Sequence, residues 1–109
     1  MSEFTPAFET LYLANSKRYA SLRARVKKRV DLILADPYQG TEQLGYPAKG
    51  MNLLGCRSAH VGRNFRIIFV VCEECRRKTD CLYCFCEGRT DKTVVFLNIG
   101  PHDKAYTMK

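Results

Sequence analysis

RSAHVGRNFRIIFVV, residues 57–71, joins two stretches of different character through Gly62-Arg63-Asn64. The second stretch, Phe65 to Val71, is aromatic or β-branched at every position but Arg66. A strand with one wet face alternates apolar and polar residues, whereas a central strand reads as a nearly continuous apolar run. Phe65–Val71 is therefore predicted as the central strand. Upstream, MNLLGCRSAHV alternates patchily and predicts a strand over about Asn52 to Ala59, with Gly62-Arg63-Asn64 as the turn. Downstream, TVVFLNI (Thr93–Ile99) repeats the central-strand character until Gly100-Pro101 stops it, leaving HDKAYTMK as a short tail. Three strands in this order make an antiparallel meander.

Ahead of the meander the period changes. Thr5-Pro6 has the form of a helix start, with Thr at the cap and Pro at the first helical position, and predicts a helix to about Ser16. A second helix is expected from Ser16 or Lys17 to Ala35, because Tyr19, Leu22, Val26, Val30, Ile33 and Leu34 recur at helical spacing. Asp36-Pro37 ends it, since a residue before proline is pushed out of the α region. PYQGTEQLGYPAKG, residues 37–50, is rich in Gly and Pro and reads as loop. Two helices followed by a meander predict one α+β domain in a chain of 109 residues.

The composition narrows the class of partner. Apolar residues make up 46% of the chain and charged residues 27%, an ordinary globular balance. No apolar run approaches the roughly 20 residues of a membrane span, and MSEFTPAFETL lacks the basic-then-apolar pattern of a secretion signal. The expectation is a soluble cytoplasmic protein whose thiols stay reduced. A formal net charge of +7 suits RNA or an acidic protein partner. Seven of the eighteen Lys and Arg residues fall in SKRYASLRARVKKR, residues 16–29, at Lys17, Arg18, Arg23, Arg25, Lys27, Lys28 and Arg29. A solvated basic helix face explains that run equally well.

Between the last two strands lie residues 72–92, far more than the two to five residues of an ordinary hairpin. They begin with CEECRRKTDCLYCFC, which holds five of the six cysteines. The spacing C-x2-C-x5-C-x2-C-x-C gives two knuckles that complete a tetrahedral S4 site for Zn²⁺. Cys72, Cys75, Cys81 and Cys84 are the expected ligands, with Cys86 as a substitute for Cys84. Disulfides, iron and a redox CxxC are the alternatives. Arg76, Arg77 and Lys78 offset the charge of such a site. A closed S4 shell has no open position for substrate, so this metal is expected to be structural. Cys56 reads as an ordinary strand residue.

Only two histidines are present, His60 in RSAHVGRNFR and His102 in GPHDKAY. Each lies at a predicted strand end, the first flanked by Arg57, Arg63 and Arg66, the second followed by Asp103, Lys104 and Tyr106. Metal-free RNA cleavage needs this inventory. One imidazole takes the proton of the ribose 2′-OH, another protonates the leaving 5′-oxygen, and Arg stabilises the phosphorane. A surface or capping role accounts for a lone His as well.

LILADPYQG, RSAHVGRNFRIIFVV and VVFLNIGPHDKAY, in this order, resemble the RelE/ParE superfamily of type II toxins, and most closely its YafQ and RelE branches. The resemblance covers most of the chain outside the cysteine segment. It implies two N-terminal helices packed on a small antiparallel sheet, with the cysteine segment as a zinc-stapled hairpin insertion. It implies a ribosome-dependent mRNA endonuclease that leaves a 2′,3′-cyclic phosphate and a 5′-OH. By motif, His60 occupies the R-x-A-H position, His102 the start of the tail motif, and Tyr106 the aromatic that positions the nucleotide. Arg66 matches the Arg that contacts the scissile phosphate. Arg57, Arg63, Asn64 and Lys104 are the implied RNA contacts beside them, with Arg25 and Lys28 reaching phosphates from the basic helix. The implied partners are mRNA, the ribosome and a cognate antitoxin. The chain departs from the pattern at Asn64, where YafQ-like proteins carry Asp, and at Leu53 and Leu54, where RelE-like proteins carry lysines. The family's first strand, ahead of helix one, is nearly absent, since only MSEF precedes Thr5-Pro6. Two other functions fit the same residues: a ParE-like gyrase inhibitor, and a non-catalytic zinc-containing module that binds RNA or the ribosome.

Overall fold

The computed structural model describes residues 4–44, 47–48, 51–52, 55–77, 86–101 and 105, with backbone alone at 47, 48, 51 and 52. Strand β1 (Thr5–Phe8) is followed by helix α1 (Thr10–Arg18), a 3-10 turn (Ala20–Leu22) and helix α2 (Arg23–Ala35). Short strands β2 (Glu42–Gln43), β3 (Pro47–Ala48) and β4 (Met51–Asn52) precede β5 (Arg57–Val61) and β6 (Phe65–Val71). The one-turn helix α3 (Cys72–Cys75) and strand β7 (Thr93–Pro101) complete the order. The class is α+β. The main sheet has five strands in the order β1-β7-β6-β5-β2, and β3 and β4 form a separate hairpin. No helix among the described residues is long and apolar enough to cross a membrane.

The expected meander is present: β5, β6 and β7 pair antiparallel, and β6 spans the predicted Phe65–Val71. The sheet as a whole is mixed, because Thr5–Phe8 is a strand and not the start of a helix. It runs parallel to β7, with Thr5 opposite Thr93 and Phe8 opposite Phe96. Thr5 N donates to Lys92 O and Glu9 N to Phe96 O, so the odd-numbered amides face β7. Pro6, which has no amide hydrogen, falls on the outward side of this edge, where none is needed. The helix begins only at Thr10.

Three other expectations shift. The second helix starts at Arg23, because the chain turns at Tyr19 and passes through the 3-10 turn; Lys17 and Arg18 close α1 instead. There they lie at the negative end of its dipole. The strand expected over Asn52–Ala59 is split, with Gly55 at φ +92° between β4 and β5. The loop over residues 37–50 contributes β2, whose Glu42 and Gln43 pair with Ser58 and Arg57.

Both faces of β6 are covered. Ile67, Phe69 and Val71 face α1 and α2, packing with Tyr12, Val30, Ile33, Val94 and Phe96. Phe96 collects the rings of Phe8, Tyr12 and Phe69 at centroid distances of 5.3, 5.6 and 6.0 Å. Ile68 and Val70 face the other way, into a second cluster with Val95, Leu97, Ala105, Cys56, Cys72, Cys75 and Cys86. The base of the cysteine segment thus packs with the sheet's second face. That accounts for a central strand with no polar alternation.

Candidate functional site

The β5–β6 turn is closed by Gly62, Arg63 and Asn64, with Val61 opposite Phe65. Gly62 sits at φ +65°, a left-handed conformation that L side chains adopt rarely. One residue back from the turn, His60 stands directly opposite Arg66. Such partners share a face, with Cβ atoms about 5 Å apart. That face is the one carrying Ile68 and Val70, away from the helices. His60 is exposed and Arg66 half-buried. Arg66 Nη1 donates to the carbonyls of Arg63 and Phe65, both at 3.1 Å, which folds the guanidinium over the turn. Arg63 and Asn64 are exposed at its tip.

Arg25 approaches the same turn from α2. Its Nη1 lies 3.9 Å from the position a Cβ would take on Gly62. Lys28 follows three residues later, on the same side of an exposed helical stretch. Arg29 does not join them, because its Nη2 donates to Gly40 O at 2.9 Å and braces the loop after the helix. Arg25 and Arg63 thus lie at the turn itself, while His60 and Arg66 pair one residue back from it, on the sheet face away from α2.

Beyond β6 the sheet continues to Pro101, two residues past the expected Ile99, with Gly100 opposite Arg66 and Pro101 opposite Phe65. Ala105 is fully buried, and its carbonyl accepts from Asn98 Nδ2 at 2.9 Å. Asn98 Oδ1 in turn accepts from Asn15 Nδ2 of α1 at 2.6 Å. The tail motif is thus held at Pro101 and again at Ala105. His102, Lys104 and Tyr106 lie outside the described residues.

Arg57 has a different place from the other basic residues. It is buried, with Nε 3.0 Å from both carboxylate oxygens of Glu74 and Nη2 2.7 Å from Oε2. Nη1 reaches Thr41 Oγ1 at 3.1 Å, and the guanidinium carbon lies 4.8 Å above the Tyr38 ring. Gln43 Nε2 adds a bond to Glu74 at 3.1 Å. Tyr38 OH donates to Glu73 Oε2 at 2.6 Å, and Lys92 pairs with the other oxygen at 3.1 Å. The Tyr38 hydrogen bond, with Lys92 beside it, holds the Glu73 carboxyl below the usual carboxylate range. Tyr38 and the acidic pair were not legible as site residues, because nothing in linear spacing joins residue 38 to residues 73 and 74.

Of the predicted metal ligands, Cys72 and Cys75 are buried, three residues apart on one helical turn, whereas Cys81 and Cys84 lie outside the described residues. Cys86 is 2% exposed and its thiol hydrogen-bonds with those of Cys72 and Cys75. Burial, reinforced by these two neighbours, pushes the Cys86 thiol up. Among the described residues, no group of three or more His, Cys, Asp or Glu side chains is set to hold a metal ion. Cys56, read as an ordinary strand residue, lies just ahead of β5 and is buried in the same cluster.

A cavity of about 380 Å³ opens between α1 and α2. Phe8, Tyr12, Leu13, Val26, Val30 and Ile99 form its apolar lining, and Lys17, Arg23 and Lys27 are its charged residues. Neither His60 nor Arg66 lines it. Compared with family models, curated proteins and solved structures, the chain matches none.

Proposed function

We propose that the chain is the toxin of a type II toxin–antitoxin pair and acts as a ribosome-dependent mRNA endonuclease of the RelE/YafQ kind. The observation that carries the reading is the cross-strand pair of His60 and Arg66 at the sheet end from which the GPHDKAY motif departs. Strand β1 adds support, since it supplies the element ahead of helix one that the family pattern calls for.

In this reading the ribose 2′-OH loses its proton to one imidazole of the His60–His102 pair, and the 2′-oxygen attacks the adjacent phosphorus. The P–O5′ bond breaks as the other imidazole delivers a proton to the leaving oxygen. The products are a 2′,3′-cyclic phosphate and a 5′-OH, with no net change in protons. Arg66 stabilises the extra negative charge on the phosphorane, and Tyr106 positions the nucleotide. Arg25, Lys28 and Arg63 supply sequence-independent contacts to phosphates. Arg57, committed to Glu74, acts by holding β5.

The apolar cavity with its cationic residues suits an acidic amphipathic segment of the antitoxin. Growth after induction tests the toxin reading. The native chain arrests growth, and the His60→Ala/His102→Ala double variant, folded by circular dichroism, does not. Undiminished arrest by that variant contradicts the mechanism.

A further inference from the structure

The cavity of about 380 Å³ between α1 and α2 is an apolar hollow that the core leaves open. Its floor is continuous with the helix-side core, to which Tyr12, Val30 and Ile99 belong and against which Val26 packs. Its lip is apolar as well. Phe8 and Leu13 line it while 41% and 48% exposed, two of the four large hydrophobic side chains left in water among the described residues. The Phe8 ring is held there by stacking at 5.4 Å on Tyr12 and 5.3 Å on Phe96. An apolar hollow kept open to water in this way marks a binding site.

Charge selects the ligand. Lys17 comes from the last turn of α1, and Arg23 and Lys27 stand one turn apart on a single face of α2. Lys27 shares its charge with Asp31 in an exposed pair at 3.2 Å, a contact worth little in water. Lys17 and Arg23 form no ion pair among the described residues. None of the described lining residues is acidic. The Ser16 hydroxyl is buried beside that of Tyr12 and makes no well-formed hydrogen bond, so a ligand with an acceptor would use it.

We propose that this cavity binds a fatty monocarboxylate of middle chain length, its alkyl chain between the helices and its carboxylate at Lys17 and Arg23. Small-molecule sites begin at about 300 Å³ and are mostly apolar, with a few polar groups that fix orientation. Arg23 offers a fork that matches the two carboxylate oxygens, and Lys17 a point charge. Each methylene taken out of water tightens binding about fourfold until the space is full. A cationic head on the same chain meets three positive side chains and is rejected. An acidic peptide segment offers the same two features, an apolar body and a negative end, but the carboxylate needs no second chain. This site is independent of the ribonuclease reading and stands or falls separately.

The test titrates the full chain with octanoate, decanoate and dodecanoate below their micelle concentrations, followed by calorimetry and methyl NMR. One site per chain is expected, tightening about tenfold or more for every two carbons added. The methyl signals of Val26, Val30 and Ile99 should shift. Dodecanol should bind at least tenfold more weakly than dodecanoate, and dodecyltrimethylammonium more weakly still. Lys17→Glu/Arg23→Glu alters two exposed side chains and should cost at least tenfold. Val26→Trp, folded by circular dichroism, should fill the hollow and abolish binding. Failure of dodecanoate to bind, equal binding of the ammonium probe, or unchanged affinity in the charge-reversed variant overturns the proposal. A native chain whose Val26 signals move on dilution, as a dimer through this face would show, overturns it as well. So does a helical peptide rich in Leu and Glu that shifts these methyls where dodecanoate does not.

Discussion

Arg57 and Glu74 form a buried fork-to-carboxylate pair, with Nε 3.0 Å from both oxygens and Nη2 2.7 Å from Oε2. The two residues come from β5 and α3, so the pair bolts α3 to the strand of His60. Removing one partner leaves a buried charge uncompensated. Arg57→Ala or Glu74→Ala should cost about 3–5 kcal/mol, read as a lowered midpoint in urea. Replacing both with apolar residues of similar size should cost much less. Equal losses for single and double variants would contradict the pairing.

Glu73 makes part of the stability acid-sensitive. Its carboxyl titrates lower in the folded chain than in the unfolded one, chiefly because Tyr38 donates to it. Stability from this contact is complete above the ordinary carboxylate pKa of about 4.3 and is lost as pH falls through the depressed folded value. Tyr38→Phe and Glu73→Gln should each flatten the acid limb of a stability–pH curve without moving the neutral plateau's slope. Chemical denaturation at stepped pH checks this.

The β5–β6 turn demands glycine at position 62. With φ at +65° and Arg25 Nη1 3.9 Å from a Cβ position, space is adequate and the strain is conformational. Gly62→Ala should cost about 1–2 kcal/mol, and Gly62→Asn less, since Asn tolerates the left-handed region. Thermal unfolding of the two variants reads the difference.

Arg66 is the side chain whose loss should separate chemistry from folding. It is half-buried and its hydrogen bonds among the described residues go to two turn carbonyls. Arg66→Ala should lower RNA cleavage on the order of 10²-fold or more. Arg66→Lys should recover part of that rate, because a point charge replaces a fork. Circular dichroism should show both variants folded. Cleavage unaffected by Arg66→Ala would remove this residue from the mechanism.

Sequence period read the centre of the fold well and its margins poorly. Phe65–Val71 was legible because a strand covered on both faces leaves a continuous apolar run, and Ala35 was legible as a helix end because Asp36-Pro37 stops it. Thr5–Phe8 was not. Its identity as a strand depends on β7, nearly the whole chain away, and Thr-Pro carries a helix-start signal of its own. Arg57 looked like a phosphate ligand for the same reason: its partner Glu74 is remote in sequence, inside a motif read for its cysteines. His60 and Arg66 needed only a hairpin register, which a short Gly-containing turn sets locally.

The central claim is RNA cleavage directed by His60, Arg66 and the GPHDKAY motif. It is tested most directly by mapping the 5′ ends of cellular mRNA after induction of the native chain and of the His60→Ala/His102→Ala variant. New 5′-OH ends within coding regions, present with the native chain and missing with the variant, are the predicted result. Intact transcripts alongside arrested growth would contradict it and point to a target other than RNA.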